Sequence, residues 1–326
     1  MKDTRPLAVV RAAELTEPNR QKRWLVEQLW TNAGVGVIGG HPKCGKSWLG
    51  LDLALSIASG TKCLDSFAVV KAGPALIYMA EDAASTVKER LLGLCSHRKL
   101  RLETLPLFVI TETTIRLDVD ADQRRLREAV QQIQPKLLLL DPLVRCHRID
   151  ENDAGPVSGL LGFLRTLQRE YDLAVAVVHH VRKNGQTRNA GQNLRGSGDF
   201  HAWIDSGLYL NRKRGHLTLT VEHRSAPAPQ PIALQLTTEE KPTRLKVVPA
   251  KPSATLEQSS ELEERVLKHL QNSKQKGTSQ AELRTALHVR NARLTQTLKR
   301  LAKQGQICKS AAGWSQIPFP HPIGPD

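Results

Sequence analysis

At 326 residues the chain is long enough for one large domain and one small one, and a hydrophobic share of 40% supplies a core. Lys and Arg number 47 against 32 Asp and Glu, and the net charge of +15 favours a polyanionic partner, nucleic acid above all. The five cysteines are scattered without a C-x-x-C pair, which argues against a disulfide framework or a cysteine-histidine metal cluster. No run approaches the roughly 18 apolar residues of a membrane span, so a soluble, cytoplasmic protein without a membrane partner is expected.

Residues 1–23 are polar and charged and read as a loosely held lead-in. Trp24 to Trp30 carries bulky residues that suit packing against a sheet. A short apolar strand, Val35 to Ile38, then meets a glycine pair, and Gly40-His41-Pro42-Lys43-Cys44-Gly45-Lys46-Ser47 fits G-x-x-x-x-G-K-[ST] residue for residue. A polyphosphate must come close enough to collect backbone N–H donors, which side chains at Gly40 and Gly45 would obstruct. Lys46 then reaches the β and γ phosphates of ATP, and Ser47 holds Mg²⁺. Trp48 opens the helix that follows, which runs to a glycine stop at Gly60. Gly40 through Trp48 form the expected nucleotide-binding stretch.

Ala75 to Ala80 reads as a buried strand followed at once by Glu81 and Asp82. In an open parallel sheet the carboxyl ends of strands face the ligand crevice. Glu81 is the candidate general base for the water that attacks the γ-phosphate, and Asp82 or Ser85 suits a helix cap. Leu105 to Ile110 gives another strand and Ala121 to Ile133 an amphipathic helix. Leu137 to Leu140 then ends in Asp141, an apolar strand closed by an acid that can hold Mg²⁺ together with Ser47.

Asp150-Glu151-Asn152-Asp153 reads as a solvated acidic loop capping a helix over Val157–Tyr171. Leu173 to Val178 is a strand ending in His179 and His180, either of which suits a γ-phosphate sensor, with His179 favoured. Residues 181–199 lack an apolar period and carry Arg182, Lys183, Arg188 and Arg195, which suit contact with a phosphodiester backbone, favoured over a plain surface insertion. Trp203–Leu210 and His216–Arg224 read as two strands about a turn. Arg224 is a candidate trans arginine finger or a plain surface arginine. Ile232–Leu236 and Arg244–Val248 suggest a further hairpin.

The phosphate loop, ALIYMAED, LLLLDPLVR, DENDAG, AVVHH, RGSGD and the strands ending in HRS occur in one order over Trp24 to Arg224. That series resembles the RecA-like ATPases of RepA-type hexameric replicative DNA helicases from plasmids, phages and integrated elements. The resemblance implies an α/β P-loop fold with a mostly parallel twisted sheet over residues 24–250. It also implies a homo-hexameric ring with ATP between subunits and single-stranded DNA in the centre. By that likeness Lys46 and Ser47 serve phosphate and Mg²⁺, Glu81 the base, Asp141 the metal, His179 or His180 the sensor, and Arg224 the finger, with Arg212 and Arg214 as competitors. The family fold also serves ATPases that do not unwind DNA, so a DNA-binding regulatory or partitioning ATPase is the second reading.

Proline-rich residues lead into a linker at 251–260. Over 261–317 three helices precede a strand, turn and strand, the plan of a winged helix-turn-helix domain that binds single- or double-stranded DNA. From Lys251 to Gln316 basic residues outnumber acidic ones by twelve to five. Arg290, Arg293, Lys299 and Arg300 lie on or beside the third helix, where they suit phosphate contact. Residues 318–326 read as a tail.

Overall fold

The computed structural model describes residues 9–15, 23–180, 199–213, 215–237, 243–249, 254–272, 277–289, 291–310 and 312–317. The chain divides into two units, Met1–Pro249 and Ala250–Asp326. No described helix is long and apolar enough to cross a membrane.

The first unit opens with a small antiparallel pair, β1 (Trp24–Val26) and β2 (Trp30–Thr31), which buries Leu25, Val26, Leu29 and Trp30. Strands β3 (Val35–Gly40), β4 (Ala75–Met79), β5 (Leu107–Ile110), β6 (Leu137–Asp141), β7 (Ala174–His180) and β8 (Ser206–Lys213) follow along the chain. Between them run α1 (Lys46–Ser59), α2 (Ala84–Arg98), α3 (Asp120–Ile133), α4 (Ala154–Tyr171) and the short α5 (Asp199–Trp203). Then come β9 (His216–His223), β10 (Ile232–Thr237) and β11 (Arg244–Val247). One nine-stranded sheet results, ordered β11-β10-β9-β8-β3-β7-β6-β4-β5, parallel from β8 to β5 and antiparallel from β8 to β11.

The sequence specifies this arrangement through unbroken apolar strands such as LLLLD and AVAVV, which must be covered on both faces. Their side chains alternate between two cores. Ile38, Leu139, Ala176 and Val178 face the layer containing α1, whereas Val37, Leu138, Leu140, Val175 and Val177 face the layer containing α4. Helix α1 is apolar nearly all round because it lies within the core, and its one buried acid, Asp52, is tied to Arg98 of α2 at 2.6 Å. Asp52 also accepts from the Leu64 backbone N–H at 2.7 Å, so the buried carboxylate is fully engaged.

Local expectations change at Trp203 and in the acidic loop, while the expected hairpin at Ile232–Thr237 and Arg244–Val247 is present. Trp203 ends helix α5 and is not in a strand; its Nε1 donates to the Leu161 carbonyl, and Asp205 turns the chain by accepting from Val35 N at 3.1 Å and pairing with Arg165. The apolar run WIDSGLYL gave no signal for that turn. The β10–β11 hairpin continues the main sheet through β9, with Leu234 and Leu245 buried. The acidic loop is not uniformly solvated. Glu151 is buried, 3.7 Å from His147 Nε2 and from His179 Nδ1, while Asp153 caps α4 by accepting from Gly155 N.

The second unit holds α6 (Ala254–Asn272), α7 (Gln280–Leu287), α8 (Asn291–Lys303) and an antiparallel hairpin, β12 (Ile307–Ser310) with β13 (Gly313–Gln316). Its core gathers Leu262, Val266, Leu283, Leu294, Leu298, Leu301 and Ile307. Helix α7 starts at a reciprocal cap between Ser279 and Glu282, as the spacing of those two residues predicts.

Candidate active site

The loop between β3 and α1 is shaped by its glycines. Gly45 adopts φ +97°, a left-handed conformation that a side chain strains, and caps α1. A Cβ at Gly40 would stand 2.6 Å from the Leu210 carbonyl oxygen on β8. Lys46 begins the helix and is buried. Its Nζ donates to the carbonyls of Gly40 at 3.1 Å and His41 at 3.0 Å and lies 3.4 Å from His180 Nδ1. Burial lowers the Lys46 pKa, and the nearby Cys44, Asp141 and Glu81 act in the opposite sense. Burial likewise raises the Cys44 thiol.

Asp141 closes β6 and is 5% exposed. Desolvation pushes its carboxyl up to about 6, against a hydrogen bond from Ser47 that favours the charged form; the charges of Asp82 and Glu81 add to the rise and that of Lys46 opposes it. Its Oδ2 is buried with no hydrogen-bond partner among the described residues. A buried carboxylate with an unsatisfied oxygen, close to the Ser47 hydroxyl at a helix start, is a donor set that fits a hard divalent cation such as Mg²⁺. Ser47 and Asp141 are the residues that would hold it.

In the β4–β6 register Met79 stands opposite Asp141. Ala75, Ile77 and Met79 face the α1 layer, and Glu81, two residues past the end of β4, lies near enough to Lys46 and Asp141 for its charge to act on both. Asp82 is committed by both oxygens to Arg90, at 2.6 and 2.9 Å, and Arg90 lies over the Trp48 ring at 5.5 Å. Glu81 is half exposed and accepts one hydrogen bond, from Arg145 Nε at 2.8 Å. Of the two adjacent acids, Glu81 is therefore the one with an oxygen to spare. The expected side-chain cap on α2 is absent: Ala83 holds that position, and Asp82 pairs with Arg90 instead.

The two histidines point to opposite faces of β7. His180 stands beside Lys46, whereas His179 is buried near Glu151 and stacks on Phe200 with ring centroids 4.6 Å apart. Strand alternation makes this unavoidable, so the position near the phosphate loop belongs to His180, and the sequence preference for His179 is displaced. Arg224 follows β9. It donates to the Ala202 carbonyl and lies 3.5 Å from Asp205, on the wall of an open cleft of about 680 Å³ that also includes His201, Glu222 and His223. Arg212 lies on β8 with its side chain exposed, and Arg214 lies outside the described residues.

Arg182, Lys183, Arg188, Arg195 and Arg290 also lie outside the described residues. Arg293 is part of α8 by its backbone. Lys299 is exposed on that helix, while Arg300 is paired with Glu263 of α6. Sequence reasoning missed Arg145, Arg90 and His147, and the burial of Glu151 between His147 and His179. Only the position of Arg145 four residues past Asp141 offered a signal.

The model of the AAA domain family matches residues 2–186. Among solved structures, the ATPase domain of G40P aligns at 15% identity over 64% of this chain and 84% of its own, with TM-score 0.49. A DnaB-like replicative helicase, described with its primase interactions, aligns at 15% over 64% and 56%, with TM-score 0.50. The RadB recombinase aligns at 18% over 67% and 92%, with TM-score 0.48. The chain spans little more than half the length of that DnaB-like helicase, and at such identity the likeness is one of fold. With more than half of its residues covered by the family model and its phosphate loop seated at the end of a parallel strand, the chain belongs to the AAA domain family, as an ATPase with a RecA-like P-loop fold.

Proposed function

We propose that this chain is an ATP-driven DNA motor, a replicative helicase of the RepA type carried by a mobile element, which works as a homo-hexameric ring. The observation that carries the reading is the gathering of Lys46, Ser47, Asp141 and Glu81 around the carboxyl ends of β3, β4 and β6. The loop backbone cradles the phosphates, and the Lys46 ammonium leaves its loop carbonyls to neutralise them. Ser47 and Asp141 hold Mg²⁺, which when bound offsets the negative charge of the phosphate oxygens. Glu81 accepts the proton of the water whose oxygen attacks the γ-phosphorus, while the bond to the bridging oxygen breaks. His180 responds to loss of the γ-phosphate, a reading supported by its contact with Lys46. Arg224 serves as the finger toward a neighbouring subunit's nucleotide.

DNA as the partner is supported by the net charge of +15 and by the exposed Lys299 and Lys303 on the third helix of the second unit, which we read as a winged helix-turn-helix domain. The test is ATP hydrolysis with and without single-stranded DNA, together with strand displacement from a forked duplex. Stimulated hydrolysis with displacement supports the motor. Slow hydrolysis with binding to duplex alone assigns a regulatory or partitioning ATPase instead.

A further inference from the structure

We propose that Arg145 is a positioning residue for Glu81, fixing the direction in which the glutamate presents its carboxylate to the phosphate site. This rests on the reading of Glu81 as the general base. Glu81 lies just past β4, is half exposed and has three side-chain torsions, so alone it would sample several rotamers. Among the described residues its one hydrogen-bond partner is Arg145, whose Nε donates to Oε1 at 2.8 Å and leaves Oε2 for a water.

The backbone that carries Arg145 is anchored although its side chain is exposed. Arg145 ends a 3-10 turn, Leu143–Arg145, that follows directly on Asp141 and Pro142. Leu143 and Cys146 are buried on either side, and the Arg145 carbonyl accepts from Arg116 Nη1. The same turn that leaves the metal-holding acid thus reaches back to the base on the neighbouring strand, linking the ends of β6 and β4. A guanidinium suits this task because its Nε–H direction is fixed by a planar group, which a lysine ammonium does not reproduce.

The magnitude is bounded. An exposed ion pair biases a rotamer population by no more than about fivefold. Replacing Arg145 should therefore slow the chemical step by about three- to fivefold and leave ATP affinity unchanged.

The test uses the full chain, Mg²⁺ and radiolabelled ATP in single-turnover hydrolysis, with a fluorescent ATP analogue for affinity. Arg145→Ala is expected to lower the rate by that factor at constant affinity, and Arg145→Lys to recover only part of it. In the Glu81→Gln chain, followed over hours, Arg145→Ala should change the slow residual rate by less than about twofold, because a group acting through Glu81 has nothing left to orient. A wild-type rate for Arg145→Ala overturns the proposal, and so does an equal fold loss in both backgrounds. If Glu81→Gln itself turns over at the wild-type rate, it is the reading of Glu81 as base that fails first, and the two failures are distinguishable.

Discussion

Replacing Asp141 by Asn should make the metal-free fold more stable while destroying its use of Mg²⁺. The substitution keeps the shape and removes the charge. Burial holds the carboxyl at about 6 against an ordinary 3.8, a rise of roughly two pH units. At about 1.4 kcal/mol per unit, the ionised group costs the metal-free fold roughly 3 kcal/mol at pH 8. The sign follows from linkage. A carboxyl whose folded pKa is raised contributes fully below about pH 4, and that contribution is lost as pH rises through about 6. For a unit the size of Met1–Pro249, each kcal/mol moves the melting point by about 2 °C, so Asp141→Asn should melt roughly 6 °C above the wild type at pH 8 in EDTA. The gap should narrow toward pH 5. Circular dichroism melts at the two pH values measure it, and Mg²⁺ with ATP should raise the wild type far more than the variant. A variant that melts at or below the wild type at pH 8 without metal would refute the idea that Asp141 is a buried charge awaiting a cation.

Lys46→Ala should abolish turnover and weaken ATP binding by about ten- to hundredfold, the loss of a charge-assisted contact, read by nucleotide titration. His180→Ala should slow hydrolysis about tenfold with an unchanged melting point. His179→Ala should cost about 2 kcal/mol of stability through lost burial and stacking on Phe200, read in a urea melt. Lys299→Ala should lower the slope of DNA affinity against salt by about one, measured by anisotropy titrations. Arg300→Ala, which breaks a surface pair with Glu263, should leave that slope nearer the wild type.

Much of the fold is legible in the sequence because its strands are buried on both faces and its loop carries fixed spacings. LLLLD, AVAVV and the phosphate loop each announce an element and its end, and Ser279 with Glu282 announces the start of α7. That Lys46, Ser47 and Asp141 come together as a candidate site was legible, because the chemistry expected of each allows one residue type at one place. Facing was harder. His179 and His180 are chemically alike, and only the strand register shows which one meets Lys46. Long-range partners were not legible at all. Arg145 with Glu81, Arg90 with Asp82, and Glu151 with His147 and His179 are set by packing between distant segments, and no local pattern encodes them. Trp203 shows the same limit, since its helix end depends on a carbonyl of α4 and on the carboxylate hub at Asp205.

The most direct test of the account is hydrolysis and binding of ATP by Glu81→Gln in the presence of Mg²⁺. A base that only accepts the proton of the attacking water predicts wild-type nucleotide affinity with turnover reduced by about a hundredfold or more. Turnover at the wild-type rate would contradict the site assembled here around Lys46, Ser47, Glu81 and Asp141.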